Sequence, residues 1–225
     1  MSETAPVASA VRQQPRGASR VLNLTFDDGP DPVWTLRVLE QLERCRAAAT
    51  FFVVGERALL HPHIAEAVLA GGHDVQLHCH RHVRHSELTE GEIQLDAESA
   101  LAVLARHGVR PLLWRTPWGI CTEASINVAR RLGLRLVRWA IDTHDWRGDR
   151  AATMLARSRA QLADGGPVLM HDANGPGARR AGAQNTVELV VPLASAARAL
   201  GLRLAPMGDD HPAPAASELA RGARA

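Results

Sequence analysis

The sequence predicts an α/β fold in which helices cover a parallel sheet or an α/β barrel. Short apolar runs alternate with longer segments whose apolar residues recur at every third or fourth position, as strands and helices do in such folds. A glycine follows several of the helical segments, where a helix should end before the next strand. Polar residues gather just after the apolar runs, which places them at one edge of the sheet.

Each predicted strand and helix can be placed along the chain. Seven apolar runs predict strands, at residues 21–26, 50–54, 73–77, 112–115, 134–141, 167–171 and 202–205. Six helical segments lie between them, at residues 35–44, 56–70, 89–106, 122–132, 149–163 and 186–200. Thr89 and Glu92 have the spacing of a capping box. Helix ends are marked by Gly72, Gly108, Gly133 and Gly201. Because no linker interrupts this pattern, we expect one domain over residues 20–206.

The two ends of the chain carry no such pattern. Residues 1–19 have no periodicity, and residues 207–225 are rich in alanine and proline. We expect a disordered N-terminal arm and a flexible C-terminal tail. The arm has no apolar core of the kind that a signal peptide carries. One of the three cysteines must be unpaired, which suits a reducing compartment, so we expect a cytoplasmic protein.

Composition excludes several classes of protein. Hydrophobic residues make up 46% of the chain and charged residues 22%, as in soluble globular proteins, and no window approaches the roughly 18 apolar residues of a membrane span. The net charge is +2 and all 26 basic residues are arginines. This charge is too small to indicate a nucleic-acid or membrane partner. The sequence leaves the oligomeric state open.

Two clusters of polar residues are candidates for binding a metal ion. Asp27 and Asp28 follow the first strand and precede a Gly-Pro pair, which is compatible with a site and equally with an ordinary turn. His78 and His82 are four residues apart, so on one helical turn both imidazoles would share a face. An exposed histidine-rich loop is the alternative. A carboxylate from the first strand would complete an Asp-His-His set that leaves positions open for water and substrate.

Further polar residues follow later strands, and none is decisive alone. Arg115 is suited to keep a catalytic carboxylate ionised, or it is an exposed arginine beside a Pro-Gly turn. Asp142, Asp145 and Trp146 follow the fifth strand, where an acidic loop is the alternative. His171 ends the sixth strand, where a lone histidine is more often structural than catalytic.

Taken together and in order, these residues resemble the polysaccharide deacetylase family, the NodB-homology domains of carbohydrate esterase family 4. The resemblance covers about residues 22–204 and five motifs. They are Thr-Phe-Asp-Asp-Gly-Pro at 25–30, His-x-x-x-His at 78–82, Arg-Thr-Pro-Trp-Gly at 115–119, the Asp-to-Trp segment at 142–146, and Leu-Met-His at 169–171. The resemblance implies a distorted (β/α)7 barrel, in agreement with the count of predicted strands.

The resemblance also implies a metal site. Asp28, His78 and His82 would bind one divalent ion. We expect zinc first, with cobalt, manganese, nickel or iron as alternatives, because two imidazoles and a carboxylate suit all of these ions. Such an ion would lower the pKa of bound water and polarise an amide carbonyl.

Four residues would carry and orient the protons. By resemblance, Asp27 would be the general base and Arg115 would form a salt bridge with it. His171 would be the general acid, which protonates the departing amine, and Asp145 would orient it.

The implied substrate pocket contains two departures from the family pattern. Trp146 and Leu169 would line the pocket for the acyl methyl, and the backbone N–H of Trp118 would help to bind the oxyanion. Trp118 replaces the usual tyrosine, which should change the pocket's shape. Cys79 replaces the usual serine or threonine and is a poor hydrogen-bond partner, so it should loosen the ligands or expose a thiol near the ion.

These residues predict a metal-dependent hydrolase that removes an N-acyl group, expected to be acetyl, from an amino sugar. A soluble oligosaccharide, a lipid- or nucleotide-linked sugar, or a natural-product intermediate fits a cytoplasmic enzyme better than a cell-wall polymer does. Hydrolysis of another N-acyl amide or of an O-acetyl ester is an alternative. A non-haem iron oxygenase shares the ligand set, but the second acid and the distant histidine argue against it. A non-catalytic carbohydrate-binding homologue is the third alternative.

Overall fold

The structure, a computed structural model, describes residues 21–208. The predicted arm over residues 1–19 lies outside the described residues, as do residues 209–225 of the tail predicted over residues 207–225. The first two residues of that tail, Met207 and Gly208, are described. Met207 is buried beside Phe52 and Leu113, and its N–H donates to the hydroxyl of Thr50 at 2.8 Å. Met207 therefore packs with the body of the domain.

Over the described residues, eight parallel strands form one curled sheet, and the predicted α/β barrel type is confirmed. The strands are β1 (Val21–Asp27), β2 (Thr50–Val54), β3 (Asp74–Cys79), β4 (Leu113–Trp114), β5 (Arg135–Leu136), β6 (Ile141–Asp142), β7 (Gly166–His171) and β8 (Arg203–Leu204). Their spatial order is β5-β4-β3-β2-β1-β7-β6, and β8 also pairs with β1. β1 lies between β2 and β7 in the interior of the sheet and is buried along its whole length. Its carboxyl end is therefore surrounded by the ends of neighbouring strands.

Seven α-helices connect the strands within residues 21–208. They are α1 (Trp34–Arg44), α2 (Gly55–Leu60), α3 (Pro62–Ala70), α4 (Glu90–Arg106), α5 (Glu123–Arg131), α6 (Ala151–Leu162) and α7 (Gln184–Ala199). The predicted capping box begins α4, since the side chains of Thr89 and Glu92 each accept a hydrogen bond from the other's backbone N–H. Gly108, after α4, has a φ of 73°, which ends the helix in a left-handed conformation that suits glycine. In this part of the chain no helix has the length and apolar character needed to cross a bilayer.

The prediction of a single strand over residues 134–141 is wrong. The chain forms β5 beside β4, leaves the sheet, and returns as β6 beside β7. Across the connection, the N–H of Val137 donates to the carbonyl of Trp114, and the N–H of Ala140 donates to that of Pro167. The apolar run therefore bridges the two ends of the sheet order. This crossing places Asp142 and the loop after it next to the end of β7.

The prediction of one helix over residues 56–70 is also wrong. Pro62 begins α3, and His61 before it has φ −131° and ψ 58°. Proline has no N–H for an intrahelical hydrogen bond and disfavours the helical conformation in the preceding residue. The apolar periodicity continues across residue 61, so the pattern alone did not reveal the break.

Candidate active site

One pocket of about 380 Å³ opens where the strands end. Eight of the ten predicted site residues line it, namely Asp27, Asp28, His78, His82, Trp118, Trp146, Leu169 and His171. The other two lie behind the pocket wall: Arg115 contacts Asp27, and Asp145 contacts His171. All ten predicted residues are therefore brought together in one place.

Asp28, His78 and His82 form a compact set of metal-ligand side chains. One ligand atom from each lies within 4.8 Å of the others. Oδ1 of Asp28 is 3.3 Å from Nε2 of His78 and 3.1 Å from Nε2 of His82. This buried oxygen nevertheless has no hydrogen-bond partner among the described residues. Three ligand atoms that converge without forming hydrogen bonds with each other fit a divalent cation.

The spacing of the two histidines predicted a shared helical turn, and this prediction is wrong. His78 belongs to β3, and His82 lies in the irregular segment that follows. The rings meet because the chain bends back after the strand, which leaves their centroids 5.0 Å apart. Nδ1–H of His78 donates to the carbonyl of Arg115 at 2.6 Å. Because a carbonyl can only accept, this bond leaves the lone pair of Nε2 directed towards Asp28.

Asp96, which the sequence analysis missed, holds the loop between the two histidines. Its carboxylate accepts hydrogen bonds at 2.8 Å from the backbone N–H groups of His80 and Arg81. Cys79 is completely buried, and burial raises the pKa of its thiol well above the ordinary value. The expected exposed thiol is therefore absent at Cys79. A carboxylate on α4 ties the loop to the helix.

Asp28 is held as a carboxylate by its neighbours. Burial alone would raise its pKa, but the adjacent imidazoles of His78 and His82 outweigh burial, and the pKa of Asp28 lies well below the ordinary value. Its φ of 76° is in the left-handed region, which costs a non-glycine residue about 1 kcal/mol or more. Gly175 packs directly on this side chain, since a Cβ there would overlap the Asp28 carboxylate.

Asp27 points to the same pocket and has a different environment. Arg115 donates to its Oδ1 at 2.7 Å and to the hydroxyl of Thr25 at 2.8 Å. Arg115 is completely buried, and its guanidinium lies over the ring of Phe52 with Cζ 4.1 Å from the centroid. These contacts fix the arginine, and the arginine fixes one carboxylate oxygen of Asp27.

His171 and Asp145 form a fully hydrogen-bonded pair. Nδ1–H of His171 donates to Oδ1 of Asp145 at 2.8 Å. Oδ2 of the same carboxylate accepts from the backbone N–H of His171 at 2.8 Å, from Arg180 at 3.1 Å and from the hydroxyl of Thr186 at 2.6 Å. Burial alone would lower the pKa of His171, but the Asp145 carboxylate outweighs it and raises that pKa to about 9. Burial alone would raise the pKa of Asp145, but His171, Arg180 and Thr186 outweigh it and lower that pKa to about 2.

Three tryptophans shape the rest of the pocket. Trp118 packs edge-on against the ring of His82 with centroids 4.2 Å apart, and its φ of 53° turns the backbone sharply. Trp146 and Leu169 line the pocket beside His171. Trp139 was missed by the sequence analysis. It lies on the connection between β5 and β6, which was predicted to be the interior of a strand.

Two further residues that support the site had weak or no signals in the sequence. Arg180 lies in a loop with no periodicity, and it also donates to the carbonyl of His171 at 2.9 Å. Asp172 directly follows His171, is buried, and accepts a hydrogen bond from the hydroxyl of Thr35. Burial raises the pKa of Asp172 to about 7. Its carboxyl fills the space in which a Cβ of Gly29 would lie, so it supports the loop that carries Asp27 and Asp28.

Comparisons with known proteins point to one family. Residues 14–137 match the family described as polysaccharide deacetylase. A peptidoglycan-N-acetylglucosamine deacetylase of Bacillus cereus is 30% identical over 155 residues, which cover 68% of this chain and 73% of that protein. A chitooligosaccharide deacetylase of Bradyrhizobium sp. is 33% identical over 165 residues, 72% of this chain and 75% of the relative. A family 4 carbohydrate esterase from Streptomyces lividans, solved in complex with acetate, has a TM-score of 0.73 at 26% identity and covers 82% of this chain and 91% of its own.

Proposed function

The chain belongs to the polysaccharide deacetylase family, and we propose that it is a metal-dependent N-deacetylase that hydrolyses the acetamido group of an amino sugar to an amine and acetate. As a member of this family it is a hydrolase of carbon–nitrogen bonds other than peptide bonds. One observation carries the finer proposal. A single pocket combines an Asp-His-His set with a separate carboxylate and a separate histidine, and each of these two has its own buried charged partner.

Asp28, His78 and His82 would hold the ion. A bound divalent cation polarises the amide carbonyl and lowers the pKa of a coordinated water. Zinc is our first expectation, and the donor set also suits cobalt, manganese, nickel and iron. Nδ1–H of His78 is already engaged by a backbone carbonyl, so the ring is presented in the tautomer that a metal ligand requires.

Asp27 would remove the proton from the attacking water. It lies next to Asp28 in the chain but faces Arg115, so the two carboxylates have separate environments. The guanidinium of Arg115 orients the Asp27 carboxylate through Oδ1. Oδ2 of Asp27 remains available to accept the proton. The oxyanion that results would be stabilised by the backbone N–H of Trp118, an interaction worth roughly 3–4 kcal/mol in other enzymes.

His171 would donate the proton that lets the amine leave. Its Nδ1–H is bound to Asp145, so Nε2 is the nitrogen available to the pocket. The raised pKa of about 9 keeps the ring protonated at neutral pH, as a general acid must be at the start of C–N cleavage. Trp146 and Leu169 would enclose the acyl methyl, which favours a group as small as acetyl.

An N-acetylglucosamine unit is the substrate class that this pocket and the relatives' activities suggest. We propose a soluble oligosaccharide, a glycoconjugate or a natural-product intermediate as the molecule that carries it. The family assignment removes the oxygenase alternative. The cytoplasmic location stays a prediction.

The test is release of acetate by the metal-loaded protein from N-acetylated oligosaccharides, sugar nucleotides and amino-sugar metabolites. Asp27→Asn and His171→Ala should each abolish turnover while the protein still binds one equivalent of the ion. Asp31→Asn serves as the matched control, because among the described residues the Asp31 side chain accepts only the backbone N–H groups of Val33 and Trp34 at the start of α1. Near-native turnover in either active-site variant would show that the assigned roles are wrong.

A further inference from the structure

Arginines lie against two of the tryptophans at the mouth of the pocket. Cζ of Arg84 is 4.2 Å from the ring centroid of Trp118. Arg147 and Arg179 lie 5.0 Å and 5.7 Å from the ring centroid of Trp146. Both tryptophans and Arg84 line the pocket. We call Arg84, Arg147 and Arg179 the arginine rim.

The charge of the rim is not cancelled by nearby carboxylates. Among the described residues, neither Arg147 nor Arg179 forms a salt bridge, and both are exposed. Arg84 has one acidic neighbour, Glu87, at 3.7 Å, and both of these side chains are partly exposed to solvent. Such a pair is weak because solvent screens it.

The carboxylates inside the pocket have partners of their own. Three line it: Asp27, Asp28 and Asp142. Asp27 is paired with Arg115, and Asp28 lies between two imidazoles. Asp142 lies 2.7 Å from Nδ1 of His144 and also accepts that residue's backbone N–H. The entrance to the pocket is therefore positively charged, although the whole chain has a net charge of only +2.

Stacking on tryptophan leaves a guanidinium free to bind an anion. The flat face contacts the indole, and the N–H groups around the edge point outward in the plane. Those edges match the geometry of a phosphate or a carboxylate. The same charge acts in the opposite sense on the product, because a freed amine is an ammonium ion at neutral pH and is repelled by the rim.

On the basis of the proposed function, we propose that the arginine rim selects N-acetylated amino sugars that carry a phosphate or carboxylate close to the acetamido group. It equally disfavours substrates in which a neighbouring sugar is already a free amine. The substrate class is thus an acidic glycan, and release of the cationic product is assisted by the same residues.

The test uses one N-acetylglucosamine disaccharide in four forms. They are the neutral disaccharide, its 1-phosphate, its C6 carboxylate, and the form with one amino group already free. kcat/KM from acetate release should rank the two anionic forms above the neutral form and the amine last. Raising the salt concentration should compress this ranking, because exposed charges are screened. The phosphate and carboxylate arms identify which anion the rim accepts better.

Variants assign the effect to the rim. Each of Arg84→Gln, Arg147→Gln and Arg179→Gln should lower the ratio of anionic to neutral kcat/KM by about two- to fivefold, the range for an exposed ionic contact. The triple variant should remove the preference. The charge-matched control replaces Arg44, Arg106 and Arg159, which lie in the last turns of α1, α4 and α6. Those turns point away from the strand ends that form the pocket, so the control should keep the preference.

Equilibrium binding separates this proposal from the proposed function. Quenching of tryptophan fluorescence reports binding of each sugar without requiring turnover. If no sugar is deacetylated but the 1-phosphate or carboxylate binds more tightly and loses that advantage in the triple variant, the proposed function fails and the rim stands. If the neutral and anionic forms are turned over and bound equally, the rim proposal is wrong and the deacetylase proposal stands. Absence of both turnover and charge-dependent binding would overturn both.

Discussion

The pocket has two halves that are organised in opposite ways. The metal half consists of Asp28, His78 and His82, and the acid half consists of His171 and Asp145. In the acid half, His171 and Asp145 satisfy each other, and Arg180 and Thr186 complete the bonding of the carboxylate. In the metal half, the inner oxygen of Asp28 has no hydrogen-bond partner among the described residues. That half is held from outside, by the carbonyl of Arg115 and by other contacts to the ligand loop.

This difference has a physical reason. A general acid works at a fixed place, so its orientation can be supplied entirely by protein hydrogen bonds. Metal ligands must leave their lone pairs free for the ion, so the protein can only fix the atoms behind them. Asp96 is such a support, since its carboxylate binds the backbone N–H groups of His80 and Arg81. The two halves should therefore respond differently to the same kinds of perturbation.

Removal of the metal should produce the largest loss of activity of all these perturbations. It should act through the metal half and leave the acid half unchanged. Chelation should lower acetate release by about a thousandfold or more, because water activation and carbonyl polarisation are both lost. Adding zinc at about a hundred times its Kd should stabilise the fold by roughly 2.7 kcal/mol, measured by thermal unfolding. His171→Ala should show the same metal-dependent stabilisation. A smaller metal effect in that variant would show that the halves are coupled.

Arg180→Met should disrupt the acid half most strongly. It removes one of the two cations paired with the buried Asp145 carboxylate, the other being His171, and breaking a buried ion pair costs about 3–5 kcal/mol. Chemical denaturation should show this loss of unfolding free energy. Arg131→Met is the control, since its pair with Glu90 is exposed at both ends and should change stability much less because solvent screens it. Equal losses in the two variants would contradict the comparison.

Asp145→Asn should shift the pH dependence of catalysis. The general acid works when protonated, so kcat/KM of the wild type should fall as pH rises through about 9, the raised pKa of His171. Without the Asp145 carboxylate, only the more distant carboxylates of Asp27 and Asp28 oppose burial, so this fall should move to lower pH. At pH 8 the variant should therefore be less active than the wild type, by about tenfold for each pH unit by which its pKa falls below 8. An unmoved alkaline limb would mean that another group supplies the proton.

The same pair links stability to pH. The pKa of His171 is higher in the folded chain than its ordinary 6.5. The ion pair therefore stabilises the fold fully below about pH 6.5, and this stabilisation is lost as pH rises through about 9. Asp145→Asn should weaken this part of the pH dependence when unfolding is measured from pH 6 to 10.

Asp96→Asn should give the smallest of these effects, confined to the metal half. An asparagine keeps only one good acceptor oxygen for the two N–H groups that the carboxylate now binds. Support of this kind typically changes metal affinity by about ten- to a hundredfold, and we expect about tenfold, measured by competition with a chromophoric chelator. Glu98→Gln on the same helix is the matched control, because Glu98 is exposed and the only described partner of its side chain is Gln94. An unchanged affinity in Asp96→Asn would show that the loop does not need this support.

The sequence by itself determined the fold class and eight of the residues that line the pocket. Apolar periodicity marks β1 and the helices because burial of one face is a local property of the chain. Asp27, Asp28 and His171 were found for a related reason: each follows an apolar run directly, and the carboxyl ends of parallel strands meet at one edge. The signal that identifies these residues therefore lies in neighbouring positions of the sequence.

Only the tertiary structure decided how those residues are supported. The run at residues 134–141 looks like one strand, but the curvature of the sheet divides it between opposite ends, and this brings Trp139 to the pocket. Asp96 and Arg180 act across long stretches of chain, where neither spacing nor periodicity carries a signal. Cys79 shows the same limit. The residue alone predicted a loosened or exposed loop, whereas packing buries its thiol and a carboxylate from α4 holds its neighbours. Contacts between distant segments depend on how helices and strands pack together, which no local pattern records.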